Sequence, residues 1–196
     1  GSAEGGYTQR HLDAVVRLAA LYALAVQRQR MEEALRTSEA ELSAIIENAP
    51  IVMILVDEER RIQEINGLGA DFAERRVEEL IGLRGGEALR CLHALDDPEG
   101  CGFGPYCQSC RIRKAVVDTF QTGEPTRQVE ARLPFHRDGA RQEERYLLVS
   151  TALLDLAGEP RVLVCLEDIT ELKRTEEALR QSEEQYRSIF DTAANV

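Results

Sequence analysis

The longest regular pattern in this chain is a three–four spacing of apolar positions. Leu21, Leu24, Arg28, Met31, Leu35, Ser38, Leu42 and Ile45 follow one another in alternating steps of three and four, and Leu172, Thr175, Leu179, Ser182, Tyr186 and Ile189 repeat the rule near the other end. Such stripes predict helices whose seam pairs with a second helix, a coiled coil with polar interruptions at Arg28 and Ser38. The plainer alternative is one amphipathic helix lying on its own domain. The pattern spans more turns than one small domain covers, which favours a parallel homodimer with Leu35, Leu42, Ile45, Leu172 and Leu179 in its seam.

Between these helices the period falls to two. "IVMILVDEERRIQEIN" (51–66) is an apolar run, a charged turn at Glu58–Arg60 and an alternating run, which predicts a β-hairpin. Asn66 is placed to cap a following helix, and short helices are expected after it. "RIRKAVVDTFQTGEP" sets Ile112, Ala115, Val116, Val117 and Phe120 on one helical face and stops at Gly123 and Pro125. "TRQVEARLPF", "ERYLLVSTALLD" and "PRVLVCLEDIT" read as three more strands. Two strands, helices, then three strands predict an α+β fold, a five-stranded antiparallel sheet with helices over one face.

Self-similarity marks the boundaries. Glu32, Glu33, Ala34, Leu35, Arg36, Ser38, Glu39, Ile45 and Ala49 recur 144 positions later as Glu176, Glu177, Ala178, Leu179, Arg180, Ser182, Glu183, Ile189 and Ala193. A repeat at fixed offset signals a repeated module, so the chain is expected to be a piece of a longer tandem protein. The expected division is a disordered or expression-derived tail over 1–6, a signalling helix over 7–40, a sensor domain over 41–172, and a coiled-coil linker opening a second module over 173–196.

Composition narrows the function. A formal net charge of −11 leaves no basic stripe for phosphates, and 5% aromatics with no Trp leave no base-stacking platform, so nucleic acid is not an expected partner. "LAALYALAV" and "IVMILV" are far short of the ~20 apolar residues that cross a bilayer, and no basic-then-apolar leader opens the chain. A cytoplasmic setting without membrane contact is expected, and there clustered thiols more often hold metal than form disulfides. No nucleophile–base set, phosphate loop or paired catalytic carboxylates appears, so a non-catalytic module is expected. Asp96–Asp97 and Glu143–Glu144 read as solvated loop charges. His11 lies in "RHLDAVV", without the Pro-containing pattern of a phosphorylated kinase histidine, and reads as a surface residue of a linking helix.

Several short motifs, taken in order, carry a resemblance. "ENAP" leads into the first strand, Asn66 follows the second, "VEELIG" (77–82) and "TGEP" (122–125) fall at a short helix and a turn, and "LEDITELKRTEEALRQSEEQYRSIF" closes a strand on Asp168-Ile169-Thr170 before a coiled coil. Residues 40 to 172 resemble a PAS domain, and "YTQRHLDAVVRLAALYALAVQRQR" (7–30) resembles the last helix of a GAF domain. The resemblance implies a small pocket under the sheet, a sensory or dimerising role in a sensor histidine kinase or diguanylate cyclase, an output domain further along the same chain, and a relay through Asp168, Ile169 and Thr170, with "TELK" capping the outgoing helix.

"CLHALDDPEGCGFGPYCQSC" (91–110) holds four of the five cysteines: Cys91, Cys101, Cys107 and Cys110. A C-x2-C pair lets two thiolates reach one metal, as in zinc and iron–sulfur sites. Gly100, Gly102, Gly104 and Pro105 supply the turns, and Arg111, Arg113 and Lys114 follow as counter-charges. Four readings stay open: a 4Fe-4S cluster, a structural zinc, a thiol/disulfide switch, or unrelated buried cysteines. Some PAS sensors resemble this chain in carrying such a cluster for redox or oxygen sensing, though with two C-x2-C pairs where this chain has one. His93 is a further candidate ligand, less favoured than a polar loop role. Cys165, in "RVLVCLED", reads as core. No flavin is expected, since "RCLHAL" lacks the Asn, Arg and Gln of the light-sensing motif, and no haem, since 112–121 holds no histidine.

Overall fold

The computed structural model describes residues 9–137 and 141–193. The tail expected over 1–6 lies outside the described residues. The chain divides into two compact units, with the division falling between Ile46 and Glu47.

The described residues of the first unit all belong to one helix, α1 (Gln9–Glu47), in which no residue is buried. Its 39 residues contain no Gly or Pro to break them, so it runs ~58 Å at 1.5 Å per residue, past the boundary expected at 40. Arg28 Nε pairs with Glu32 at 2.6 Å. Leu35, Leu42 and Ile45 are all exposed along it, as is His11.

The second unit opens with the expected hairpin, β1 (Val52–Val56) and β2 (Ile62–Ile65). Short helices α2 (Gly67–Ala73), α3 (Val77–Leu80) and α4 (Gly85–Ala88) follow, then 3-10 turns at Leu92–Leu95 and Pro105–Ser109. The helix α5 (Arg111–Thr122) leads to β3 (Thr126–Arg137), β4 (Arg141–Leu156), β5 (Glu159–Asp168) and α6 (Thr170–Ala193). The sheet is five-stranded and antiparallel in the order β2-β1-β5-β4-β3.

Alternation along the strands builds the core. Val52, Ile54 and Val56 of β1, Val162, Val164 and Leu166 of β5, and Leu147 and Val149 of β4 are buried. Ala115, Val116 and Thr119 of α5 are buried as well, and the Thr119 and Thr151 hydroxyls satisfy one another at 2.7 Å. The same period of two corrects one expectation. With Val164 and Leu166 facing the helices, Cys165 must face the other side, and it is half-buried there rather than in the core.

Asn66 ties the hairpin to the helices. It is fully buried; its Oδ1 accepts the N–H groups of Met53 at 3.0 Å and Gly69 at 3.1 Å, and its Nδ2 donates to the Ile51 carbonyl at 2.9 Å. Asn66→Ala leaves three backbone groups without these partners and removes the α2 cap. It is expected to lower stability by about 2–4 kcal/mol, read as a fall in urea midpoint at unchanged m-value.

Among the described residues, no helix is long and apolar enough to cross a membrane. Glu143 and Glu144 belong to β4 rather than to a loop. Glu143 pairs with Arg145 and Arg174 at 3.3 Å, and Glu144 pairs with Arg132.

Candidate functional site

The chain between α4 and α5 lies over the sheet's helix-bearing face, held by a few specific bonds. Glu87 accepts the Arg84 N–H at 3.1 Å with one carboxylate oxygen and the Cys101 N–H at 3.2 Å with the other, so α4 anchors the middle of the loop. Cys91 forms a β-bridge with Phe135, and the His136 N–H reaches the Arg90 carbonyl at 2.9 Å, which fixes the loop's start to β3. The 3-10 turn at Pro105–Ser109 presents Cys107, and Cys110 is the residue on which α5 begins.

These anchors bring Cys91, Cys101, Cys107 and Cys110 to one cavity of ≈ 90 Å³, whose floor is Ile54, Val56, Val164 and Leu166. All four are free thiols; Cys91 and Cys107 are buried, Cys101 and Cys110 half-buried. The approach is close. A Cβ on Gly86 would sit 2.7 Å from Cys101 Sγ, so only glycine lets α4 come this near the sulfur. The Gly102 N–H donates to Cys107 Sγ at 3.3 Å, and the Cys107 thiol points to the His93 carbonyl at 3.8 Å. Among the described residues, no three His, Cys, Asp or Glu side chains are gathered around a single point at metal-ligand spacing.

Burial dominates the acidity of these thiols. Removal from water pushes Cys91 up to about 12 from an ordinary 9.0, against an opposing hydrogen bond from the His93 backbone. Burial raises Cys101 too, opposed by a hydrogen bond from the Gly86 backbone. Below the unfolded pKa the thiol is protonated in both states and the folded state keeps its full stability; above it the unfolded chain alone loses the proton, and stability falls as pH rises. The metal-free protein is therefore expected to lose stability between pH 9.0 and about 12, as the unfolded chain gives up its protons first. Urea midpoints at pH 8, 9 and 10 check this; a midpoint that rises with pH contradicts it.

Three guanidinium groups face the same cavity: Arg60 from the β1–β2 turn, Arg84 from before α4, and Arg113 from α5. Of the counter-charges expected next to Cys110, only Arg113 faces inward. Arg111 donates to the Glu130 carbonyl at 3.0 Å, and both Arg111 and Lys114 are exposed. The helical period decides this, because Ile112, Ala115 and Val116 take the covered face of α5. His93 lines the cavity, with its Nδ1 2.9 Å from Asp96 and its ring stacked on Tyr106 at 4.5 Å.

At the far end of the sheet, Asp168 Oδ1 accepts the Thr170 N–H at 3.0 Å, and the Thr170 hydroxyl caps the Tyr146 N–H at 3.0 Å. The Ile169 N–H donates to the Tyr146 carbonyl at 2.9 Å. These bonds fix the first turn of α6 to β4 and β5. Leu172 and Leu179 lie exposed on α6.

Residues 40–105 match the family model described as a PAS domain. The PAS domain of an HTR-like protein from Haloarcula marismortui is similar, with a TM-score of 0.51 and 20% identity over 72% of this chain and 99% of that one. The fold is a PAS fold. An RNA-binding light-oxygen-voltage receptor is also similar, with a TM-score of 0.51 and 13% identity over 75% of this chain and 38% of that one. None of the curated proteins matches the chain.

Within this PAS fold, Arg60 and Arg84 are site residues that the sequence did not reveal. They lie 31 and 7 positions before Cys91 and reach the thiols only through the hairpin and the α3–α4 turn. One signal was available in retrospect: Gly102, with φ of +105°, leaves the space that Arg60 fills.

Proposed function

We propose that this PAS domain is a cytoplasmic, non-catalytic sensor and dimerisation module that reports redox state or oxygen through an iron–sulfur cluster held by Cys91, Cys101, Cys107 and Cys110. The observation that carries this reading is one cavity lined by four free thiols and three arginines. Thiol sulfur is the donor set of iron–sulfur and zinc sites. Backbone N–H groups reach the sulfurs, Gly86 leaves a cradle, and Arg113 keeps a buried Nε without an acceptor among the described residues. All of this suits a group of negative charge. The thiols and the arginines line the same cavity of ≈ 90 Å³. When bound, such a cluster supplies a one-electron couple.

The protein's own residues offer a route outward. Cys91 bridges to Phe135, whose ring meets Phe72 edge-on at 5.8 Å. Arg145 stacks over Phe72 at 4.6 Å and pairs with Asp168 at 3.1 Å, and Asp168 holds the first turn of α6. In this reading a shift of the loop biases Asp168, Ile169 and Thr170, and α6 passes the bias to a downstream output domain of the same chain. The exposed apolar stripes of α1 and α6 serve as homodimer seams, since such surface is stable when paired. The signal is a shift between two packings, so the loaded and unloaded loops must favour different ones.

Anaerobic purification with iron, sulfide and zinc analysis tests the reading. About four irons per chain and a broad absorption shoulder support it. One zinc and no colour would make the loop a structural staple in a spacer domain, and metal-free protein that loses two thiols in air would make it a disulfide switch.

A further inference from the structure

We infer that Arg60 and Arg113 are the counter-charges of the thiol cavity, positioning residues that hold a group of net negative charge there and set how readily it accepts an electron. The inference rests on the iron–sulfur reading of the cavity.

The chain carries 35 acidic and 24 basic residues, so carboxylates are abundant. Yet among the described residues lining the cavity none is Asp or Glu, while three are Arg. Arg84 is otherwise occupied: it donates to the carbonyls of Glu59 at 3.3 Å and Glu99 at 3.1 Å, and lies over Phe103 at 4.8 Å. Arg60 and Arg113 have no such carbonyl or carboxylate partner among the described residues, and Arg113 Nε is buried with no acceptor. Burial and the neighbouring Arg113 both press the Arg60 guanidinium toward its neutral form.

Like charges gathered in a half-buried cleft repel and lose hydration, and this is unfavourable unless an anion joins them. The fold maintains the arrangement nonetheless. Gly102 sits at φ +105°, and a Cβ there would lie 2.4 Å from Arg60 Nη1, so that loop position keeps the guanidinium's place open. Four thiolates around an iron–sulfur core give the site a net negative charge. One electron from an external donor such as dithionite makes it more negative by one, with no bond made or broken and no proton moved. Cations beside the site favour the reduced form, so their removal makes reduction harder.

The test is a potentiometric titration of anaerobically reconstituted protein, with dithionite as reductant and the cluster absorption as readout. Arg60→Gln and Arg113→Gln are compared with Arg60→Lys, Arg113→Lys and the distant Arg161→Gln. Each glutamine variant is expected to titrate at a more negative potential by about the equivalent of tenfold in the oxidised-to-reduced ratio, 59 mV for one electron. The lysine variants and Arg161→Gln are expected to titrate close to the parent. Glutamine variants that fold but retain no iron, beside loaded lysine variants, also support a requirement for charge. Glutamine variants that titrate with a loaded parent overturn the inference alone, as do lysine variants that lose iron along with the glutamine ones, since shape rather than charge would then be at work. A parent that takes up no iron and sulfide overturns the cluster reading and the inference with it.

Discussion

Single replacement of Cys91, Cys101, Cys107 or Cys110 by serine is expected to strip the protein of iron, while Cys165→Ser leaves it loaded. The four positions line one cavity, whereas Cys165 lies on the opposite face of the sheet. A serine oxygen is a harder and far less acidic ligand than a thiolate. The loss should therefore exceed the 10–100-fold fall in affinity, to order of magnitude, that follows from outer-shell substitutions. Iron and sulfide content per chain, measured after anaerobic reconstitution, gives the answer. The same variants separate a sensor from a staple. The most deeply buried side chains, Ile62, Leu80, Leu147, Val149 and Val162, lie outside the cysteine loop. The iron-free variants are accordingly expected to keep their far-UV spectrum and a cooperative urea transition. A structural zinc finger differs, because there metal binding is folding free energy of ~10–16 kcal/mol and the metal-free chain unfolds. Serine variants that unfold outright would move the loop into that class. Retention of iron by all four would remove the thiols from the site.

How much of this was legible beforehand follows from the range of the interactions. The hairpin, the Asn66 cap, the end of α5 at Gly123 and the three closing strands depend on period and local chemistry, and the structure has them where the pattern put them. The cysteine cluster was visible because its members share one loop. What was not visible is what the fold brings to that loop. Arg60 and Arg84 arrive from separate turns, and the inward choice of Arg113 over Arg111 and Lys114 depends on which face of α5 meets the sheet. Cys165 was misread although its neighbours held the answer: Val162, Val164 and Leu166 claim the inner face by alternation. Phe72 and Arg145 gave no signal either. An arginine on a strand reads as solvent-facing until a ring and a carboxylate from other elements are found around it.

That arginine is where the proposed relay is most easily cut. Arg145 is buried, stacked on Phe72 at 4.6 Å and paired with Asp168 at 3.1 Å and Glu143 at 3.3 Å. Its side chain touches both the ring stack reaching back to Cys91 and the carboxylate that holds the start of α6. Arg145→Met keeps an apolar chain against Phe72 and removes the charge. Breaking a fully buried pair by deleting one partner costs about 3–5 kcal/mol. Asp168 and Glu143 each keep a third of their side chain in water, so the expected loss is smaller, about 2–3 kcal/mol. The functional consequence is sharper than this loss. In the parent, amide exchange in the first turn of α6, residues 170–175, is expected to differ between the iron-loaded and iron-free states. In Arg145→Met that difference should vanish while iron content stays at the parent level, because the loop remains intact and only its link to Asp168 is gone. Asp168→Asn should weaken the difference without abolishing it, since an amide oxygen can still accept the Thr170 N–H. A two-state element biased from the loop requires this pattern. Persistence of the difference in Arg145→Met would send the coupling through β5 instead, where Leu166 borders the cavity two residues before Asp168.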